Sequence, residues 1–105
     1  MAKPFTVLVT LFIKPDCREE YLEALRAVLP QSRSEPGCIS LRAHEMTGEP
    51  GTIVLLEDWR DEDEYTQEVM QRDYFQRYLK LSETMYAKPR VVTFLRPISL
   101  DEAGL

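Results

Sequence analysis

The sequence predicts an α+β fold of the ferredoxin-like type, a split βαββαβ unit with an antiparallel four-stranded sheet and both helices on one face. Two observations predict it. Segments with period-two apolar alternation and segments with helical periodicity follow in the order strand, helix, strand, strand, helix, strand. The chain has 105 residues, the size of one domain. We therefore expect a single domain over residues 1–105, with a core of about residues 5–97 and a frayed tail at residues 99–105.

The first strand and helix occupy the N-terminal third of the chain. Apolar residues alternate through residues 5–13, which predicts a strand, and Lys14-Pro15 ends it. Asp16 and Glu19 have the spacing of a capping box, after which apolar residues recur at helical period. Pro30 is expected to end or kink this helix, because a proline deletes one helical hydrogen bond, with a last irregular turn towards Ser34 left open.

A hairpin follows the first helix. Residues 39–44 and 52–59 each alternate as strands, and the glycine- and proline-containing loop at residues 47–51 joins them. These two strands are therefore expected to be antiparallel neighbours.

The last third of the chain predicts a second helical region and a final strand. Asp61 and Glu64 again have capping-box spacing, and the aromatic-rich helical pattern after them is broken near Arg72-Asp73. Lys88-Pro89 is expected to open the final strand at residues 90–96.

The predicted sheet has more apolar surface than two helices can cover. The first strand carries apolar residues on both faces, and so does the strand at residues 52–59. Since a large apolar face is rarely left in water, we expect a second copy of the chain to cover the face opposite the helices. The sequence thus predicts a homodimer.

Composition and charge exclude several partners. The net charge is −5, and the 13 basic residues are scattered among 18 acidic ones, which argues against nucleic acid as a partner. No stretch approaches the roughly 20 apolar residues that cross a bilayer, and the N-terminal apolar run reads as a strand rather than a signal peptide. We expect no membrane association and a cytoplasmic location.

No metal or cofactor is expected. Cys17 and Cys38 lack the paired spacing of a zinc site and are interpreted as free thiols. Six of the eight residues at positions 57–64 are acidic, but consecutive acids at a helix start point in different directions and complement the helix dipole. The sequence also lacks a glycine-rich phosphate loop.

Three short motifs resemble the antibiotic biosynthesis monooxygenase family. They are the run Glu35-Pro36-Gly37-Cys38, the strand end Glu57-Asp58-Trp59-Arg60-Asp61 and the aromatic-rich second helix. The resemblance covers about residues 5–97 and implies a dimeric α/β barrel. The family includes cofactor-independent oxygenases acting on polyphenols or quinols, and haem-degrading enzymes. In the oxygenases the tryptophan that ends the third strand lines a pocket between sheet and helices, which implies this role for Trp59.

The register of the hairpin decides the place of the single histidine, His44. With an even-numbered loop, Arg42 would lie opposite Glu57 as a cross-strand ion pair, on one face with His44 and Trp59. That arrangement would be a polar cluster suited to binding a substrate, while an odd-numbered loop would separate these side chains.

Two further residues complete the candidate site. Tyr74 lies near the position of a histidine that members of the family often carry, and Arg90 opens the last strand, where it could hold an anionic oxygen. The candidate catalytic residues are therefore His44, Tyr74 and Arg90, and the candidate substrate-binding residues are Trp59, Arg42 and Glu57.

The preferred functional hypothesis is a cofactor-independent monooxygenase acting on a small aromatic substrate of the polyphenol or quinol type, in a pocket between sheet and helices. The alternative is a non-catalytic dimer of the same fold that binds a small ligand or a partner protein. Another small-molecule reaction, such as isomerisation, remains open. Haem degradation also remains open and would use His44 as the axial ligand.

Overall fold

The computed structural model describes residues 1–98, and its elements follow the predicted βαββαβ order. The strands and helices are β1 (Phe5–Ile13), α1 (Arg18–Arg33), β2 (Cys38–Glu45), β3 (Thr52–Trp59), α2 (Glu62–Gln67), α3 (Asp73–Ser82) and β4 (Tyr86–Leu95). Short 3₁₀ turns precede α1 (Pro15–Cys17) and α3 (Val69–Gln71). All strand pairs are antiparallel, and the sheet order is β2-β3-β1-β4. The predicted frayed tail lies outside the described residues.

The hydrophobic core lies between the helices and one face of the sheet. Every odd-numbered residue of β1 is buried and every even-numbered one is half-buried, so the strand turns its odd face towards the helices. On α1 the buried side chains recur at helical spacing and include Tyr21, which is fully enclosed. The prediction that the helices share one face is confirmed.

The first helix starts differently from the prediction, and beyond Pro30 it continues towards Ser34. Asp16 does not cap α1, because residues 15–17 form a 3₁₀ turn and Cys17 takes the N-cap position without a side-chain hydrogen bond. Pro30 lies inside the helix, which continues for one more turn. The N–H of Ser34 closes that turn on the carbonyls of Pro30 and Gln31.

The second helical region is broken as predicted, at Arg72, whose backbone is extended. Asp61 caps α2 by accepting the N–H of Glu64 at 3.0 Å. The final strand begins earlier than predicted, at Tyr86 rather than after Pro89. β4 is an edge strand, and its pairing with β1 shifts between Val91 and Lys88, so the ladder tolerates this proline.

The face of the sheet opposite the helices is uncovered in the single chain. Leu8 lies directly opposite Leu56 at its centre, and Val91 and Leu95 of β4 are each at least 43% exposed. Both faces of β1 and β3 are therefore apolar, as the sequence predicts. In the described part of the chain, every helix is too short or too polar to cross a membrane.

Candidate functional site

Two small adjoining cavities, of about 50 and 20 Å³, lie between the helix-covered face of the sheet and the helices. They share five lining residues, namely Leu55, Glu57, Tyr65, Phe75 and Tyr78. The inner cavity also touches Trp59, and the outer one extends to Arg90 on β4. The structure thus brings three of the six candidate residues to one place: Glu57, Trp59 and Arg90.

Strand alternation places two of these residues on the cavity. Glu57 and Trp59 lie two residues apart on β3, so both point to the face that the helices cover. Glu57 pairs with Val7 and Trp59 with Phe5 of the neighbouring strand β1, which fixes their positions along the sheet. The strand end that carries the family motif therefore forms the floor of the cavity.

Glu57 is a buried carboxyl group with one hydrogen bond. It is 7% exposed, and its Oε1 accepts the indole N–H of Trp59 at 2.9 Å. Burial raises the pKa of Glu57, and the Trp59 hydrogen bond and the charge of Arg90 offset part of that rise. Oε2 makes no hydrogen bond to any described residue. Every fully buried side-chain oxygen in the described residues has a hydrogen-bond partner, so Oε2 is not fully buried. Oε2 therefore retains access to the cavity.

Arg90 supplies a cation on the outer cavity. Its side chain is half-buried and makes no hydrogen bond or ion pair to any residue at positions 1–98. Arg90 and Glu57 line the same outer cavity, and the positive charge of Arg90 lowers the pKa of Glu57. The guanidinium is thus available to an anionic ligand.

Aromatic rings form the rest of the wall. Trp59 is 2% exposed and lies against Tyr65 of α2, with ring centroids 4.9 Å apart. Tyr78 of α3 borders both cavities, and its hydroxyl is 2.5 Å from that of Tyr21. Burial raises the pKa of Tyr65 and of Tyr78, so both hydroxyls stay protonated. The helical spacing of the aromatic residues favoured core positions for these two tyrosines, with a place beside a pocket as the alternative.

His44 and Arg42 lie on the opposite face, so the prediction that they share a site with Glu57 and Trp59 is wrong. The loop at residues 47–51 is odd-numbered, which sets His44 opposite Val54 and Arg42 opposite Leu56. Both side chains are exposed. The predicted ion pair between Arg42 and Glu57 does not form.

Tyr74 is also outside the cavity. Its hydroxyl donates to Oε2 of Glu35 at 2.7 Å, and Arg72 donates to both oxygens of the same carboxylate. This cluster joins the end of α1 to the start of α3. Burial and the Glu35 hydrogen bond raise the pKa of Tyr74 to about 12, so it is a poor acid or base at neutral pH.

The acidic segment at positions 57–64 forms separate contacts. Asp58 accepts from Thr6 and Ser40 on the open face, and Glu64 forms a two-point ion pair with Arg60. Over residues 1–98, no three His, Cys, Asp or Glu side chains are grouped so as to hold a metal ion. The absence of a metal or cofactor stays a prediction.

Comparison with known proteins agrees with the resemblance. A family model described as antibiotic biosynthesis monooxygenase matches residues 4–81. The protein sll1783 of Synechocystis sp. is 33% identical over 86 residues, which cover 82% of this chain and 58% of that protein. The Bacillus subtilis protein "Putative monooxygenase YcnE" is 40% identical over 50 residues, which cover 48% of this chain and 53% of that protein. This chain therefore spans little more than half the length of these two relatives.

A third relative matches along its whole length. The Mycobacterium tuberculosis protein "Putative monooxygenase Rv0793" is 29% identical over 104 residues, 99% of each chain. Its solved structure has a TM-score of 0.84 to this chain at 26% identity, covering 91% of this chain and 96% of that one. The sequence match and the shared fold lead to one conclusion: the chain belongs to the antibiotic biosynthesis monooxygenase family.

Proposed function

We propose that this chain is a cofactor-independent monooxygenase that acts on a small aromatic hydroxy compound of the quinol or polyphenol type. The observation that carries the proposal is a pair of adjoining cavities bordered by the buried carboxyl of Glu57, with the indole of Trp59 on the inner cavity and the cation of Arg90 on the outer one. Membership of a family described by monooxygenase activity supports the same reaction class.

The roles follow from the chemistry of each side chain. Trp59 is a donor-only group whose N–H is already bound by Glu57, so it orients a planar ring by stacking and cannot act as a base. Arg90 has no partner among the described residues and would hold the phenolate oxygen of the substrate. The protein then contributes orientation, exclusion of water and charge stabilisation.

The substrate itself can supply the electrons. A quinol gives four electrons to O₂. One oxygen atom enters the ring as a hydroxyl group and the other leaves as water, so the product is a hydroxyquinone. Atoms and electrons balance without a further reductant. A reaction of this kind needs a protein that binds the phenolate and excludes bulk water, which suits an aromatic cavity with one cation.

The cavity must widen to admit an aromatic ring. Its two parts, about 50 and 20 Å³, are smaller than the roughly 150 Å³ apolar cavity known to take up benzene. The outer wall includes Met70, Phe75 and Phe94, and none of these side chains is fully buried. Their displacement opens the outer cavity beside Arg90.

We also propose that the working form is a homodimer in which a second copy covers the open sheet face. Support comes from the apolar residues of that face, among them Leu8, Leu56 and Val91, which the helices do not reach. The second copy would complete the barrel that the family resemblance implies.

The small cavity volume favours one competing function, a non-catalytic dimer of the same fold. Oxygen consumption separates the two. Purified protein in metal-free buffer is screened against hydroquinones and anthrones with an oxygen electrode, and products are identified by mass. Protein-dependent uptake of one O₂ per substrate, lost in Arg90→Ala and kept in Arg26→Ala at an exposed arginine of α1, is the expected result. No uptake with any substrate would favour the binding function.

A further inference from the structure

We infer that Glu57 is the catalytic base, which takes the proton from the substrate hydroxyl so that the ring can react with O₂ as the phenolate. The inference rests on the proposed function and names the group that ionises the substrate. With an even-numbered hairpin loop Glu57 would have paired with Arg42, but the observed register sets Arg42 opposite Leu56 and leaves Glu57 without this partner.

Glu57 lies where the two cavities adjoin. It is one of the residues that border both cavities, so a ring in either part lies beside it. One carboxylate oxygen is occupied by the Trp59 N–H, while Oε2 has no partner among the described residues and keeps access to the cavity. An oxygen in this state is placed to accept a proton from a bound hydroxyl.

Few groups around the cavities can accept a proton. Four titratable side chains line the two cavities, namely Glu57, Tyr65, Tyr78 and Arg90. Burial raises the pKa of both tyrosines, so each already holds its proton at neutral pH. Arginine remains protonated throughout the physiological range. Glu57 is therefore the one lining group in the described chain that can accept a proton.

The surroundings of Glu57 adjust its basicity. The titratable groups around it are Tyr65 of α2, Tyr78 of α3 and Arg90 of β4, which line the cavities with it, and Tyr21 of α1 and Cys38 of β2, whose pKa its charge raises. Burial among them raises the pKa of Glu57 and makes it a stronger base than an exposed glutamate. The Trp59 hydrogen bond and the charge of Arg90 act in the opposite direction and help it to ionise.

The proton transfer is balanced in charge and returns the base to its starting state. The substrate O–H bond breaks and a carboxyl O–H bond forms, while the electron pair stays on the phenolate oxygen, which Arg90 stabilises. The negative charge thus moves from Glu57 to the substrate without any change in the total. The proton on Glu57 then leaves in the water formed from O₂, and the carboxylate is regenerated.

A binding experiment tests the inference without turnover. 4-Nitrophenol, whose phenolate absorbs at longer wavelength than the phenol, is added under anaerobic conditions at a pH below its own pKa. Wild-type protein should bind it as the phenolate, with no proton released to a weakly buffered indicator. Glu57→Gln keeps an acceptor for the Trp59 N–H but cannot take the proton, so its phenolate band should be at least tenfold weaker. Glu57→Asp should restore part of it.

Glu35→Gln is the matched control, because Glu35 is a second buried glutamate but lies outside the cavity, bound to Arg72 and Tyr74. Its phenolate band should equal that of wild type. An equal band in Glu57→Gln, or neutral nitrophenol bound by every variant, would overturn the inference. Failure of wild type to bind nitrophenol would overturn the proposed function as well.

Turnover separates the two proposals. With a substrate that wild type oxidises, Glu57→Gln should lower kcat about 100-fold with KM changed less than about threefold, and raising the pH above the substrate's pKa should restore most of the rate. Unchanged kcat in Glu57→Gln would refute the base while leaving the oxygenase standing. Phenolate formation in wild type without O₂ uptake would support the base and count against the oxygenase.

Discussion

The indole N–H of Trp59 donates to Oε1 of Glu57 at 2.9 Å, from two residues further along the same strand. The alternation of a strand is what allows this bond, because residues i and i+2 share a face. It satisfies the donor of a buried indole and stabilises the carboxylate of a buried glutamate. The residue proposed to stack on the substrate and the residue proposed to take its proton therefore act as one unit.

Substitution of Trp59 tests whether Trp59 and Glu57 act together. Trp59→Phe keeps a ring but removes the hydrogen bond that lowers the pKa of Glu57, so that pKa should rise and the acid limb of the pH–rate profile should move to higher pH. Part of the activity should remain. Trp59→Ala also removes the ring that orients the substrate and should lower kcat on the order of a hundredfold. Initial rates measured across the pH range check both results.

The hydrogen bond and the ring have separable signatures in these variants. A shifted acid limb in Trp59→Phe reports the lost bond, while the further drop in kcat in Trp59→Ala reports the lost ring. Unchanged turnover in Trp59→Ala would contradict the placement of the substrate against this residue.

Glu57→Gln should make the protein more stable at neutral pH. The folded-state pKa of Glu57 is raised above its unfolded value, so the folded chain binds the proton more tightly and stability falls as pH rises through this interval. Above it, the ionised carboxylate is a buried charge that glutamine does not carry. Its removal should contribute about 1–3 kcal/mol, seen as a higher Tm.

The pH dependence distinguishes this effect from a general change in packing. Below the unfolded-state pKa the glutamate is neutral in both states, so the Tm values of Glu57→Gln and wild type should converge in acid. A constant difference in Tm from acid to neutral pH would contradict the buried-charge explanation. Because Trp59 is the single tryptophan, its fluorescence should also titrate in wild type and not in Glu57→Gln.

The element order and the shared helix face could be predicted because periods of 2 and 3.6 residues are local properties of the sequence. The register of β2 on β3 could not be predicted. One residue more or less in the loop at 47–51 moves every side chain of one strand to the other face of the sheet relative to its partner. His44 and Arg42 moved to the other face for this reason alone. The ionisation state of Glu57 was equally hidden, because its burial depends on three helices converging on one strand.

His44→Ala should leave catalysis unchanged. The side chain is exposed on the sheet face opposite the cavity, where His44 pairs with Val54. Among the described residues, no chain of hydrogen bonds links it to Glu57. Both kcat and the acid limb should match those of wild type within about twofold. Loss of the acid limb in His44→Ala would contradict the assignment of the site to the helix-covered face.

Glu35→Gln should weaken the hydrogen bonds that connect the end of α1 to the start of α3. Burial opposes the charge of Glu35, but the hydrogen bonds from Arg72 and Tyr74 lower its pKa on balance. The stability that this carboxylate contributes is present above its unfolded-state pKa and is lost as pH falls through the folded-state value. Thermal unfolding should show a lower Tm for Glu35→Gln at neutral pH, with the difference shrinking in acid, which is the opposite sign to Glu57→Gln.

Replacing Leu8 with aspartate should split the proposed dimer. Leu8 lies at the centre of the open sheet face, opposite Leu56 of β3, where a second copy would enclose it. A buried charge without a partner costs several kcal/mol, so association should weaken at least a hundredfold. Val9 is unsuitable for this test, because it points into the core of the single chain and Val9→Asp would unfold the protein.

Leu81→Asp is the matched control, because Leu81 is 54% exposed on α3 and lies away from the sheet. Sedimentation at micromolar concentration should give twice the 12.2 kDa chain mass for wild type and Leu81→Asp. Leu8→Asp should sediment as the single chain, with its helical circular dichroism retained because Leu8 is not part of the helix-facing core. Wild type sedimenting only as a single chain would refute the dimer, and equal association of both variants would move the interface away from the open face.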